Sequence, residues 1–171
     1  MQTLAEMIRD VPDFPKEGIL FKDITTLLKD SAAYRQAIDE LVARCSDYQP
    51  DKVIGIESRG FIFAAPLADR LGAGFVPVRK LGRLPAATVR AEYALEYGTN
   101  TVEMHRDAVA AGERVLIVDD LLATGGTCRA AIELVEQVGG VVVGCAFLAE
   151  LGFLSGRGNL QGYDVRVLIS Y

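Results

Sequence analysis

The stretch VLIVDDLLATGGT, residues 115–127, joins a short apolar run, two adjacent carboxylates and a turn of small residues. The apolar run is typical of a buried strand, and Thr127 begins a pattern with helical spacing. Two neighbouring carboxylates repel each other, and desolvating either one is costly without a partner. We therefore expect a partner or ligand beside Asp119 and Asp120.

The turn that follows the two acids has the composition of a phosphate-binding loop. Backbone N–H groups and a helix dipole would converge where the helix begins, and small side chains let a phosphate approach them. Asp119 and Asp120 can accept hydrogen bonds from sugar hydroxyls or hold a metal through water. The stretch predicts a sugar phosphate pocket, most naturally for ribose 5-phosphate, whose phosphate would contact Ala123, Thr124, Gly125, Gly126 and Thr127.

Other phosphate-binding and signalling patterns fit this stretch less well. No Gly-Lys-Ser/Thr follows it, so it is not a Walker A loop, and it lacks the GxGxxG pattern of dinucleotide folds. A phosphoacceptor signalling domain needs an aspartate and a lysine on later strands. No lysine follows Asp120, and Asp164 is the only later aspartate. A purely structural tight turn would leave the carboxylate pair unexplained.

Apolar runs alternate with helical patterns along the chain, which predicts an α/β fold. We expect one domain, residues 1–171, with a mainly parallel, twisted sheet flanked by helices. The predicted strands are 53–56, 75–78, 115–118, 141–149 and 165–169, and the predicted helices are 4–11, 31–45, 58–71 and 127–138. The segments around Gly98 predict a hairpin. Ligands of such sheets bind beyond the carboxyl ends of the strands, where residues 57–60, 79–80 and 119–120 fall.

Charge and cysteine content exclude several classes of protein. The net charge of −5 argues against a general nucleic-acid binder, and no apolar run approaches the length of a membrane span. Three cysteines, in apolar surroundings, favour reduced buried thiols in a cytoplasmic protein. Positive charge is concentrated in residues 79–90, where glycine and proline suggest a loop able to close on an anionic ligand.

Residues 115–127 resemble the diphosphoribosyl-binding motif of type I phosphoribosyltransferases. Those enzymes transfer ribose 5-phosphate from 5-phosphoribosyl 1-diphosphate (PRPP) to a nitrogenous base and release pyrophosphate. The segments DFPKEGILFKDIT, ESRGF and YALEYG, at 13–25, 57–61 and 93–98, resemble the adenine-specific members. The resemblance implies the family's fold, with an N-terminal hood at about 1–30 and a flexible loop-hairpin at about 79–103. It also implies attack by N9 of adenine, giving AMP and pyrophosphate in purine salvage.

The resemblance assigns roles to individual residues. Adenine would be bound by Phe21, Lys22, Ile24 and Leu121. The position of Lys22 is usually arginine in the family. Glu57 and Ser58, joined by a cis peptide, would form the pyrophosphate loop, and Arg59 would contact the diphosphate.

The loop-hairpin carries the remaining roles that the resemblance implies. Arg79, Lys80 and Arg83 would bind the diphosphate, and the position of Arg83 is often lysine in relatives. Part of this charge reaches a neighbouring subunit in the family, which implies a homodimer. Glu96 would handle the purine proton. Mg²⁺ would be held mainly by PRPP, without direct protein ligands.

Two other functions stay open from the residues alone. A non-catalytic regulator on the same fold would sense PRPP or a nucleotide, but it should carry a broad basic face. An enzyme of the same reaction type could use hypoxanthine, guanine or xanthine instead of adenine. A 6-oxopurine site should favour a different proton partner.

Overall fold

The computed structural model describes residues 2–95 and 97–171, and the chain separates into two compact units. The N-terminal unit, Met1–Glu40, contains strand β1 (Arg9–Pro12), which pairs antiparallel with β2 (Leu20–Asp23). A single helical turn, α1 (Thr25–Leu28), follows, and then helix α2 (Ser31–Cys45) begins.

The larger unit, Leu41–Tyr171, is built on one sheet. Its strands within the described residues are β3 (Lys52–Ile56), β4 (Gly74–Lys80), β5 (Thr88–Leu95), β6 (Gly98–His105), β7 (Arg114–Leu122), β8 (Val141–Glu150) and β9 (Val165–Ser170). Their order is β5-β6-β4-β3-β7-β8-β9. The five strands β4, β3, β7, β8 and β9 are each parallel to their neighbours among these five. Strand β6 is antiparallel to β4 and forms an antiparallel hairpin with β5.

Two helices connect neighbouring parallel strands. Helix α3 (Gly60–Leu71) links β3 to β4, and α4 (Gly126–Gln137) links β7 to β8. Residues 115–118 of β7 are fully buried, since the strand is central and apolar residues of α4 pack in the same core. The predicted α/β class with a mainly parallel sheet is confirmed. The carboxyl ends of β3, β4 and β7 therefore meet at one edge.

The predicted helix over residues 4–11 is wrong. Residues 4–7 form turns, and residues 9–12 are strand β1. Pairing with β2 holds this segment extended: Arg9 forms an ion pair with Asp23 at 2.5 Å, and Val11 lies opposite Phe21. Contacts with a distant segment thus override the helical spacing of the apolar residues.

The basic segment 79–90 is not one continuous loop. Strand β4 runs to Lys80 and β5 starts at Thr88, which leaves only the residues between them irregular. The buried carboxylate of Glu103 accepts hydrogen bonds from the N–H of Gly82 at 3.0 Å and from the Thr88 hydroxyl at 3.1 Å. This carboxylate therefore ties both ends of the irregular segment to β6.

Cys45, Cys128 and Cys145 are buried free thiols, as predicted. Burial raises the pKa of Cys45 to about 11, so this thiol stays protonated at neutral pH. In the described ranges, no helix is long and apolar enough to span a membrane.

Helix α2 begins at a side-chain cap, Asp30. Asp30 Oδ1 accepts the N–H groups of Ala32 at 3.0 Å and Ala33 at 2.9 Å. We expect Asp30→Ala to lower the free energy of unfolding by about 1 kcal/mol, because both donors lose their acceptor. The thermal midpoint, followed by circular dichroism, should fall by about 2–4 °C. Asp30→Ser keeps an acceptor and should restore most of the loss; an equal loss in both variants would contradict the cap.

Candidate active site

A cavity of about 360 Å³ lies at the carboxyl ends of the parallel strands. Its lining comes from the ends of β3, β4 and β7 together with β5. The lining residues are Ile56, Glu57, Ser58, Arg59, Lys80, Tyr93, Asp119, Asp120, Leu121, Ala123 and Thr127. Segments predicted to converge from their positions in the sequence therefore share one cavity. A smaller cavity of about 70 Å³ is lined mainly by residues 121–128.

The two adjacent carboxylates have different surroundings. Asp120 is 5% exposed, and its Oδ2 lies 2.9 Å from Nε of Arg59. Asp119 Oδ1 accepts the backbone N–H of Asp120 at 2.9 Å. Burial, followed by repulsion from Asp120, raises the pKa of Asp119 well above its ordinary value. Arg59 is therefore the expected cationic partner, and it compensates Asp120 most directly.

Gly60 allows helix α3 to begin directly against this carboxylate pair. A Cβ at this position would lie 2.7 Å from Oδ1 of Asp119 and 3.1 Å from the carbonyl oxygen of Val118. The first distance is too short for a Cβ, and at the second the neighbouring backbone would have to shift by a few tenths of an ångström. A glycine at the first residue of α3 is thus required by close packing, a requirement that the sequence pattern did not disclose.

The predicted phosphate-binding loop, residues 123–127, leads into helix α4. Gly125 caps the helix with a φ of +84°, a left-handed conformation that glycine adopts without strain. The first N–H groups of a helix have no partner within it, and the first turn of α4 holds no acidic residue. The loop can therefore present N–H donors and positive helix-dipole charge to an anion.

The segment after β3 joins the cavity to β4. A cis peptide connects Glu57 and Ser58, as the family resemblance implies. The Glu57 carboxylate accepts hydrogen bonds from Nε of Arg79 at 3.2 Å and from the Lys80 N–H at 3.1 Å. Burial alone would raise the pKa of Glu57, but these hydrogen bonds outweigh it and hold the pKa below its usual value. Arg79 is thus paired with a carboxylate of the cavity lining.

Arg83 is not among the residues that line this cavity. Arg83 is exposed in the turn after β4, and its carbonyl accepts a hydrogen bond from Nη1 of Arg79 at 3.2 Å. Phe21, Lys22 and Ile24 belong to the N-terminal unit, where the ammonium of Lys22 contacts Asp10 at 2.6 Å. Glu96, the predicted proton-handling residue, lies outside the described residues.

Tyr93 lines the cavity but was not among the predicted site residues. Its hydroxyl accepts a hydrogen bond from the Asn100 side chain at 3.1 Å, across the β5–β6 hairpin. A Cβ on Gly126 would lie 3.6 Å from the Tyr93 ring. The hairpin therefore reaches the start of α4 through this aromatic side chain. The only indication in the sequence that Tyr93 belongs to the site is its position as the first residue of YALEYG.

The donor groups at the site suit Mg²⁺ in type but do not form a protein cage. Carboxylate oxygens are the ligands that Mg²⁺ prefers, and Asp119, Asp120 and Glu57 supply them. Asp120 and Glu57 are already paired with arginines. Among the residues that the structure describes, no cluster of three His, Cys, Asp or Glu side chains could hold a metal. Mg²⁺ fits here as an ion that also binds substrate phosphates.

Comparisons with known proteins agree with this geometry. A model of the phosphoribosyl transferase domain matches residues 25–169. An adenine phosphoribosyltransferase of Solibacter usitatus is 60% identical over 171 residues, covering 100% of this chain and 99% of that protein. The crystal structure of the adenine phosphoribosyltransferase from Thermoanaerobacter pseudethanolicus has a TM-score of 0.96 and 56% identity, covering 99% of this chain and 100% of that one.

A third similar protein was solved with ligands. The adenine phosphoribosyltransferase of Saccharomyces cerevisiae was crystallised with adenine and D-2,5-dideoxy-2,5-imino-altritol 1,6-bisphosphate. It has a TM-score of 0.91 and 40% identity, covering 95% of this chain and 94% of that chain.

The raised pKa of Asp119 predicts a pH-dependent instability of the free protein. The folded state keeps this proton to higher pH than the unfolded state, so stability falls as the pH rises from the ordinary aspartate range through the raised pKa. Asp119→Asn removes the ionisation but keeps an oxygen for the Asp120 N–H. Its advantage in thermal midpoint over the wild type should grow from about pH 4 to pH 8.

Asp164→Asn serves as the opposite control. Hydrogen bonding from Tyr48 lowers the pKa of Asp164, so this carboxylate stabilises the fold once ionised. Its removal should lower the thermal midpoint by an amount nearly constant above about pH 5. An advantage of Asp119→Asn that did not change with pH would contradict the raised pKa.

Proposed function

Since this chain belongs to the phosphoribosyl transferase family, we propose that the cavity at the carboxyl ends of β3, β4 and β7 is its active site. Full-length relatives and structural neighbours are adenine phosphoribosyltransferases. The reaction is accordingly transfer of ribose 5-phosphate from PRPP to N9 of adenine, giving AMP and pyrophosphate, a step of purine salvage. The names of these relatives favour adenine over the 6-oxopurines and catalysis over a purely regulatory role.

The observation that carries the site assignment is the position of Asp119 and Asp120 directly before the phosphate loop, residues 123–127. Both elements contribute to one cavity. Carboxylates accept hydrogen bonds from the ribose hydroxyls, while the loop's N–H groups and the Thr124 and Thr127 hydroxyls donate to the 5′-phosphate. Ribose 5-phosphate carries these two kinds of group on one small molecule.

Binding of the diphosphate would draw on cations that are paired with carboxylates in the free protein. Arg59 is 2.9 Å from Asp120, and Arg79 is 3.2 Å from Glu57. Phosphate oxygens can replace or share those carboxylates as acceptors, and exposed Lys80 and Arg83 add charge nearby. Positive groups held at the leaving group stabilise the negative charge that develops when the C1′–oxygen bond breaks.

Mg²⁺ would enter the site bound mainly to the diphosphate oxygens of PRPP. It supplies further positive charge to the leaving pyrophosphate. Asp119 and Asp120 are placed to contribute through water, because Asp120 is already paired with Arg59.

The base and its proton would be handled by the hood and the hairpin. Phe21, Lys22 and Ile24 are proposed to contact adenine, with Leu121 on the cavity side. Leu121 lines the cavity directly after Asp120. Glu96, close to Tyr93 in sequence, would manage the purine proton. The hood at about 1–30 and the loop-hairpin at about 79–103 are the segments proposed to cover the reactants.

The proposed assembly is a homodimer that acts in the cytoplasm. Arg83 is exposed, and its side chain would contribute to a site shared between subunits. The buried free thiols suit a reducing compartment. The acidic net charge of −5 does not favour nucleic acid as a partner.

The central test is product formation by the purified protein with PRPP and Mg²⁺. AMP and pyrophosphate should form in equal amounts with adenine, and far more slowly with hypoxanthine, guanine or xanthine. The double variant Asp119→Asn with Asp120→Asn should bind PRPP more weakly in calorimetry, because each ribose anchor loses one of its two acceptor oxygens. Unaltered PRPP binding would remove the ribose-anchor role, and turnover of a 6-oxopurine alone would overturn the substrate.

The role of Glu96 is tested by Glu96→Gln, which keeps the shape of the side chain but cannot accept a proton. We expect kcat to fall by about 10²- to 10⁴-fold, the usual contribution of general acid–base catalysis. PRPP affinity should stay nearly unchanged. Glu92→Gln, an exposed carboxylate on β5, is the matched control and should retain activity. A large loss of PRPP binding in Glu96→Gln, or equal losses in both variants, would contradict the role.

A further inference from the structure

A short helical turn near the end of the chain packs against the phosphate loop. This turn, Gly156–Leu160, is a 3-10 helix between β8 and β9. A Cβ on Gly156 would lie 2.3 Å from the carbonyl oxygen of Ala123. A Cβ on Gly125 would lie 2.5 Å from the carbonyl oxygen of Gly156. The two backbones are therefore in direct contact, and a glycine stands at both points of close approach.

A side chain of the same turn holds the loop by a hydrogen bond. Nδ2 of Asn159 donates to the carbonyl oxygen of Thr124 at 2.6 Å. Thr124 immediately precedes Gly125, whose left-handed φ of +84° sets the direction in which the chain enters α4. The bond therefore acts at the point where the loop's N–H groups receive their orientation.

The turn is itself anchored to the sheet, which makes it a support rather than a loose covering. Arg157 forms two hydrogen bonds with the Glu150 carboxylate at the end of β8, at 2.8 and 3.1 Å. Leu160 is 1% exposed in the core. The N–H of Leu151, directly after β8, donates to the carbonyl oxygen of Leu122 at 2.9 Å. The segment that leads into the turn is therefore also joined to the end of β7, directly before the loop.

We propose that Gly156 and Asn159 are positioning residues for the 5′-phosphate of PRPP and AMP. Neither lines either cavity, so both act through the phosphate loop. Gly156 allows the close approach of the two backbones, and Asn159 fixes the Thr124 carbonyl. The inference rests on the proposed function, in which residues 123–127 bind that phosphate.

The test compares Asn159→Ala and Gly156→Ala with Gly158→Ala in the full chain. Gly158 belongs to the same turn, and a Cβ there would meet nothing within 4 Å. We expect Asn159→Ala to raise the KM for PRPP and the calorimetric Kd for AMP by about three- to tenfold, as for loss of one hydrogen bond. The KM for adenine, which carries no phosphate, should stay unchanged. Gly156→Ala should have the larger effect, because backbone atoms must move.

The outcomes separate the inference from the function on which it rests. If the wild type makes no AMP, the proposed function is wrong, and calorimetry with AMP and inorganic phosphate still tests the support of the loop. If the wild type is active but both variants match Gly158→Ala, the positioning role is overturned. A proportional rise in both KM values would also overturn it, because general destabilisation affects both substrates. Should Gly156→Ala fail to fold, Asn159→Ala decides.

Discussion

Repulsion between Asp119 and Asp120, held together at the end of a buried strand, is the constraint around which this site is arranged. Arg59 neutralises Asp120 at 2.9 Å, and Gly60 removes the side chain that would block Asp119. Arg59 and Gly60 lie where α3 begins after β3, so the segment that follows one strand compensates the charge at the end of its neighbour. The parallel pairing of β3 with β7 makes this arrangement possible.

Charge compensation recurs on the other side of β3. Glu57 accepts hydrogen bonds from Arg79 and from the Lys80 N–H, just as Asp120 pairs with Arg59. The arginines that we propose bind the diphosphate are thus held in place by carboxylates. A site of unpaired arginines would lose more side-chain freedom on binding. Ion pairing therefore preorganises the arginines, but their carboxylate partners would compete with the proposed substrate for them.

The parallel strands of the larger unit and helices α3 and α4 could be predicted because each coincides with an apolar run or a helical pattern that local residues complete. Residues 4–11 show the limit: their spacing is helical, but pairing with β2 makes residues 9–12 a strand. The converging cavity was predictable from the rule that parallel strands end together. The support from Asn159 was not, because the hydrogen bond joins segments that no periodicity connects.

The contact between the Gly156–Leu160 turn and the phosphate loop also has a consequence for biosynthesis. Residues 119–127 emerge from the ribosome well before the turn that fixes Thr124. A nascent chain can therefore form β7 and begin α4 while the loop still lacks its support. The loop therefore takes its final conformation late, when the turn docks against Ala123, Thr124 and Gly125.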